Sequence, residues 1–160
     1  PDAPAGLDRA AGAVALTLFD FETTVWLDPA LRGGEAEGWM RFHCGCPLTT
    51  DPSSAAFAVV SDVAVLPPLA AFNQGDAKYP DRSTTLVIQL AALEGGPAVT
   101  LRGPGVNGEA KLARPGLPHG FWEQVQTNGA QFQFGVDLIF AAGDRLTALP
   151  RSTRVTIQGD

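Results

Sequence analysis

The sequence predicts a mixed-sheet α/β sandwich, and three observations predict it. Short β-branched or apolar runs recur along the chain, bounded by turn-forming residues. Segments with helical spacing fall among those runs, the mixture expected of helices laid on a sheet. Finally, the apolar runs 136–140 and 146–149 flank Gly143-Asp144, a turn signal, so antiparallel pairing belongs toward the C-terminus.

The elements follow in order. Asp8 stands where a helix cap belongs, ahead of a segment reaching about residue 19 in which Ala11, Val14 and Leu18 share a helical face. The alternation Val14, Leu16, Leu18 fits a strand as well. Residues 23–27 are β-branched and aromatic and read as a strand. Residues 35–42 read as a short helix and 56–61 as a strand. Pro67 opens a helical turn that reaches Phe72. Residues 84–93 form a long apolar run, read as a strand buried on both faces. Residues 98–102 form a strand, with 109–113 as its hairpin partner. Residues 118–125 form a short helix with Phe121, Trp122 and Val125 inward. The terminal hairpin carries a single acid, Asp137, in its first strand. Behind it, Pro150-Arg-Ser-Thr-Arg154 is the densest collection of anion-binding groups in the chain.

Composition excludes several classes. A chain of 160 residues, 45% apolar, is one domain (1–160) with a real core. It has 18 glycines and 13 prolines, so connections are many and stiff. The net charge of −6 argues against nucleic acid, which needs a basic face, and against an anionic membrane surface. No apolar stretch approaches the length of a membrane span. Two cysteines separated by one residue are no disulfide framework, and the expected compartment is the cytoplasm.

Few constellations carry chemistry. Gly103-Pro-Gly105-Val-Asn-Gly108 has the spacing of a dinucleotide fingerprint, but that site needs a helix opening at the glycines. Pro115 stops a helix there, so a glycine-rich hairpin loop is the better reading. His43-Cys44-Gly-Cys46 offers metal-ligand types, but zinc cysteines are spaced by two to four residues; two buried or half-buried thiols are expected, and no metal. No nucleophile elbow is present, and neither Lys78 nor Lys111 has the setting of a Schiff-base lysine. His43 and Asp137 have the right types for general acid–base work without a partner visible in the sequence. Asp137, alone in an apolar run, is expected to satisfy a nearby arginine or backbone amide.

Arginine stands out, because only two of the 11 basic residues are lysine. Guanidinium suits bidentate capture of phosphate or carboxylate. Arg41, Arg102, Arg151 and Arg154 each lie beside a strand, a glycine loop or a proline turn. Taken singly, each fits a surface ion pair. Arg151 and Arg154 together, with Ser152 and Thr153 between them, equally fit a ligand or subunit contact.

A family resemblance runs through the same residues. Gly135-Val-Asp-Leu-Ile-Phe140 and Leu149-Pro-Arg-Ser-Thr-Arg154-Val resemble the end of PhnH, the H subunit of the bacterial carbon–phosphorus lyase complex. Further matches are Thr24-Val-Trp-Leu27, Arg41-Phe-His43 with Pro47-Leu48, Ala56-Phe-Ala-Val59, Ser83-Thr-Thr-Leu-Val-Ile-Gln89 and Val99-Thr-Leu-Arg-Gly-Pro-Gly105. No single phrase is specific; their order along the chain is. The resemblance implies a three-layer α/β sandwich distantly like the large domain of pyridoxal-phosphate transferases, without that cofactor or any other. It implies a homodimer that joins the G, I and J subunits in making ribose phosphonate triphosphate from a phosphonate and a nucleoside triphosphate. The alternative is a homodimeric phosphonate- or nucleotide-binding module; a stand-alone transferase ranks last. The family's leading helical segment finds no counterpart in this sequence. The expected ligand or partner residues are Arg41, His43, Arg102, Asp137, Arg151, Ser152, Thr153 and Arg154, with no catalytic residue among them.

Overall fold

A computed structural model of the protein describes residues 1–158. In chain order the elements are α1 (Arg9–Leu18), β1 (Val25–Leu27), α2 (Glu35–His43), β2 (Leu48–Thr49), β3 (Phe57–Val60) and β4 (Thr85–Gln89). There follow β5 (Ala98–Arg102), β6 (Ala110–Ala113), α3 (Phe121–Ala130), β7 (Asp137–Ala142), β8 (Arg145–Leu149) and β9 (Arg154–Ile157). Six strands form the main sheet in the order β2-β1-β3-β4-β7-β8. The first five run parallel, and β8 closes the edge antiparallel to β7. A second, antiparallel sheet has the order β6-β5-β9.

Strand side chains alternate between faces, and both faces of the parallel strands are covered. Trp26, Ala58, Val60, Leu86, Ile88, Leu138 and Phe140 point to one core, completed by Phe121 and Val125 of α3, Leu69 and Phe72, and Val99 and Val155 of the small sheet. Val25, Leu27, Val59, Val87 and Ala141 point to the other, completed by Val14 and Ala15 of α1 and Ala36 and Met40 of α2. The result is an α/β sandwich of three layers around a mixed sheet, with the small sheet beside α3 in one outer layer.

Helix α1 resolves the ambiguity in its sequence. A strand would bury Val14, Leu16 and Leu18 on one side, whereas Val14 is buried and Leu16 and Leu18 are 40% and 46% exposed. Asp8 stands at the N-cap position but does not cap α1. Its carboxylate accepts from the Gly143 N–H (3.1 Å), and the Ala10 N–H donates to the Gly143 carbonyl (2.9 Å), tying α1 to the β7–β8 turn.

Other boundaries shift for physical reasons. Strand β4 stops at Gln89, short of the expected residue 93. The Gln89 side chain accepts from the Asp8 N–H (2.7 Å) and donates to the Gly6 carbonyl (3.0 Å), while Leu90 and Leu93 stay buried outside the strand. A continuous apolar run reports burial, not strand length. Helix α3 starts later than expected and runs on to Ala130, because Asn128 is a buried anchor. Its amide donates to the Val136 carbonyl (2.9 Å) and its oxygen accepts from the Val136 N–H (2.7 Å). Gly135 makes room for this contact: its φ is +114°, and a Cβ there would lie 2.7 Å from Asn128 Oδ1. Strands β2, of two residues, and β9 are additions to the elements the sequence predicts. No helix among the described residues is long and apolar enough to cross a membrane.

Candidate functional site

The terminal segment is held at the strand-start edge of the main sheet. Strand β7 begins at Asp137, next to Thr85 at the start of β4. After β8 the chain turns at Pro150, where the Thr153 N–H donates to the Pro150 carbonyl (3.0 Å), and Arg151 folds back over this edge. Its backbone N–H and Nε donate to Asp137 Oδ1 at 2.8 and 3.2 Å, and Nη2 donates to Asp137 Oδ2 at 2.7 Å. Nη1 donates to the carbonyls of Pro80 (3.0 Å) and Gln133 (3.1 Å), and Nη2 also donates to Ser83 Oγ. A guanidinium carries five N–H donors, and all five are engaged inside the protein. Arg151 therefore has no donor left for an anion. Asp137 takes the role expected for a lone acid in an apolar run: it pairs with a nearby arginine and a backbone amide.

Arg151 and Arg154 do not converge. Arg154 is exposed on β9, directly across from Arg102 on β5. Arg102 is exposed too and pairs with Glu109 across the glycine-rich loop, leaving Arg154 without a side-chain partner among the described residues. Ser152 is half-buried and Thr153 buried. A cleft of about 450 Å³ takes in Asp81, Gln133, Arg151 and Ser152; a neighbouring cleft of about 550 Å³ takes in Gln126, Gly129, Thr153 and Arg154. Phe132, 63% exposed, lines both. The glycine-rich segment is a hairpin loop, as expected. A Cβ on Gly103, at φ +147°, would lie 3.0 Å from the Ser152 carbonyl oxygen. That glycine lets the loop pass close to the terminal segment.

Arg41 and His43 lie elsewhere, near the end of α2. Arg41 donates through Nε and Nη2 to Glu37 Oε1 (3.2 and 2.9 Å). His43 is exposed, with its ring centroid 5.1 Å from Trp39 and 4.9 Å from Phe42. Neither shares a cleft with the Arg151 segment. Behind them Cys44 is half-buried and Cys46 buried. Burial raises both thiols, and with Cys44 adjacent Cys46 is pushed up to about 11. Among the described residues, no three of His, Cys, Asp and Glu gather in a way that could hold a metal ion. At neutral pH the Cys46 thiol stays protonated, and thiolate is the reactive form. Alkylation of the folded protein is expected to leave Cys46 unmodified while the unfolded protein takes up two labels, as counted by intact mass. Rapid double labelling of the folded protein would contradict this.

Three polar residues escape the sequence reading. Asp28, fully buried just after β1, accepts from the N–H groups of Leu31, Ser61 and Asp62 and from the Ser61 hydroxyl. Arg32 donates through Nε to the Leu27 carbonyl (2.8 Å) and lies over the Trp26 ring. Arg114, 7% exposed, donates to the Leu93 and Ala113 carbonyls and Thr147 Oγ1, with Nε unpartnered. Burial, with nearby Arg145 second, pulls its guanidinium below the ordinary value. The available signal for Asp28 and Arg32 is position: polar residues directly after a parallel strand sit at the sheet's carboxyl edge.

Residues 1–156 match the family described as bacterial phosphonate metabolism protein (PhnH). The chain belongs to the PhnH family. It is 43% identical over 152 residues to the alpha-D-ribose 1-methylphosphonate 5-triphosphate synthase subunit PhnH of Rhizobium meliloti (strain 1021), covering 95% of this chain and 76% of that protein. It is 34% identical over 85 residues to the putative C-P lyase subunit protein HtxG of Stutzerimonas stutzeri, covering 53% of this chain and 44% of that protein. Three of the phrases that carry the PhnH resemblance meet at one place. Ser83 opens one, Asp137 lies in the second and Arg151 in the third, and the Arg151 guanidinium joins them. In this PhnH chain, that spatial clustering has a structural basis: the three segments close one edge of the sheet.

Proposed function

We propose that this chain is an H-type subunit of a carbon–phosphorus lyase assembly that makes a ribose phosphonate triphosphate, and that it acts there as an accessory chain. In this reading it is a single PhnH-like domain that forms a homodimer in the cytoplasm and joins G-, I- and J-type subunits. The observation that carries the proposal is the 43% identity across 95% of the chain to a protein named as a synthase subunit. Two features of the geometry favour an accessory role. The densest polar cluster, around Arg151, is engaged in holding the fold, and the two thiols are raised away from the reactive form. The distant likeness to the large domain of pyridoxal-phosphate transferases belongs to the same reading.

The test is affinity purification of the tagged chain from cells grown on a phosphonate, with the mass of the product read by light scattering. Two copies of this chain with further subunits are expected. The chain purified alone is expected to leave methylphosphonate and a nucleoside triphosphate unchanged. Recovery without other subunits from such cells, or turnover by the chain alone, would sink the accessory role.

A further inference from the structure

The order of the parallel strands, β2-β1-β3-β4-β7, reverses direction between β1 and β3. From β1 the chain passes through α2, on one face, to reach β2. From β3 it passes through Leu69 and Phe72, on the other face, to reach β4. Connections that leave on opposite faces open a crevice at the strands' carboxyl ends, the usual ligand position in open α/β sheets. The Arg151 segment lies at the opposite edge. On the β1–β2 side of this reversal the carboxyl edge holds a separate cleft of about 390 Å³, lined by Leu27, Arg32, Glu37, Arg41, Thr49 and Thr50 among others.

The charge of this cleft contrasts with the chain's. The protein carries −6, whereas the cleft gathers two guanidiniums against one carboxylate. That carboxylate is already occupied. Glu37 Oε1 accepts both Arg41 bonds, and Oε2 accepts the Gly33 N–H at 2.6 Å. The Gly33 N–H first, then Arg41, and to a lesser degree Arg32, hold the Glu37 carboxyl below its ordinary range. Arg32 is positioned without being used up. Its Nε is fixed on the Leu27 carbonyl and its guanidinium carbon lies over the Trp26 ring (5.4 Å to the centroid). Both Nη groups of Arg32 are without partners among the described residues, so the end of the fork is open. A fork held in place before binding loses little freedom when it captures an oxyanion. Thr49 and Thr50 line the strand-end wall and carry hydroxyls; Thr49 Oγ1 already accepts from the Asp51 N–H (3.1 Å), and its O–H remains to donate.

We infer that this cleft binds a small tetrahedral oxyanion, a phosphate or phosphonate group, through the open Nη donors of Arg32 with Arg41 and the threonine hydroxyls. The inference stands on the cleft's geometry and is independent of whether the chain works inside an assembly.

The experiment is calorimetric titration of the purified full chain, any co-purifying subunit retained, with inorganic phosphate and separately with methylphosphonate at constant ionic strength. Saturable binding of at least one is expected. Arg32→Gln is expected to weaken it about tenfold or more, Arg32→Lys less, because charge without the fork keeps part of the attraction. Arg41→Gln, on an exposed helix face, is a second variant that does not depend on the Leu27 contact, and is expected to weaken binding as well. Arg145→Gln, exposed beside Glu94 at the start of β8 and remote from the cleft, is expected to bind as the parent does. No saturable binding by the parent overturns the inference. So does unchanged affinity in both Arg32→Gln and Arg41→Gln. Neither result bears on co-purification with other subunits, so the assembly reading is tested separately.

Discussion

Replacing Asp28 by Ala is expected to cost about 3–5 kcal/mol of folding stability, as large an effect as any side chain in this protein should give. The carboxylate is fully buried at the carboxyl ends of β1 and β3. Its oxygens accept from Ser61 N–H (2.7 Å), Asp62 N–H (2.8 Å), Leu31 N–H (3.2 Å) and Ser61 Oγ (3.1 Å). Truncation strands the Ser61 and Asp62 donors where solvent access is poor, while the Leu31 N–H keeps the Asp28 carbonyl (3.0 Å), and an orphaned buried donor costs about 1–3 kcal/mol. Asp28→Asn should cost less, since one oxygen remains, but its amide then faces N–H groups that also donate. The urea midpoint, with the slope unchanged, measures both. Because Asp28 joins the two strands at the topological reversal, the Arg32 cleft should loosen with it. Oxyanion binding in Asp28→Asn is expected to weaken even where the protein remains folded. A stability loss under about 1 kcal/mol for Asp28→Ala would show that the network is not the joint described.

The sequence made the strands more legible than the site, and the reason is physical. Strands β1, β3 and β4 announce themselves as runs of β-branched and aromatic residues because both of their faces are buried. The β7–β8 hairpin is legible from its turn, although β8 is mostly exposed. Strand β9 is harder to see, since it opens on an arginine inside a polar segment; yet Arg154, Val155, Thr156 and Ile157 do alternate outward and inward. Side-chain chemistry is a different matter. The sequence displays Arg151 and Arg154 as donors in one short segment, which invites a shared anion. It does not display the acceptors. The Arg151 partners Pro80, Ser83 and Gln133 lie 71, 68 and 18 residues away, and two of those acceptors are backbone carbonyls, which leave no mark in a sequence. Asp28 is obscure for the same reason, as its partners Ser61 and Asp62 lie on another strand end. The resemblance to PhnH reached further than composition or periodicity, because ordered phrases retain information about contacts that single residues lose.

Arg151→Ala is expected to destabilise the protein by about 2–4 kcal/mol. The side chain is 13% exposed and Asp137 30% exposed, so the ion pair is partly screened and the estimate stays below that for a sealed pair. What makes the residue important is the number of segments it joins. Its guanidinium links the starts of β4 and β7, the loop at Gln133 and the turn that leads into β9. Removing it leaves two carbonyls and a hydroxyl without this donor, and leaves the Asp137 carboxylate only the backbone N–H of residue 151. Arg151→Lys should recover little, because three donors on one nitrogen cannot reproduce a planar fork aimed at four residues. A double-mutant cycle with Asp137→Ala isolates the pair, and a coupling of about 1–3 kcal/mol is expected. The same variant separates a structural arginine from a ligand-binding one. If Arg151 holds the fold, Arg151→Ala lowers the melting temperature while phosphate and methylphosphonate affinity, measured below the transition, stays as in the parent. A variant that keeps its stability but loses oxyanion binding would return the anion site to the terminal segment and take it away from the Arg32 cleft.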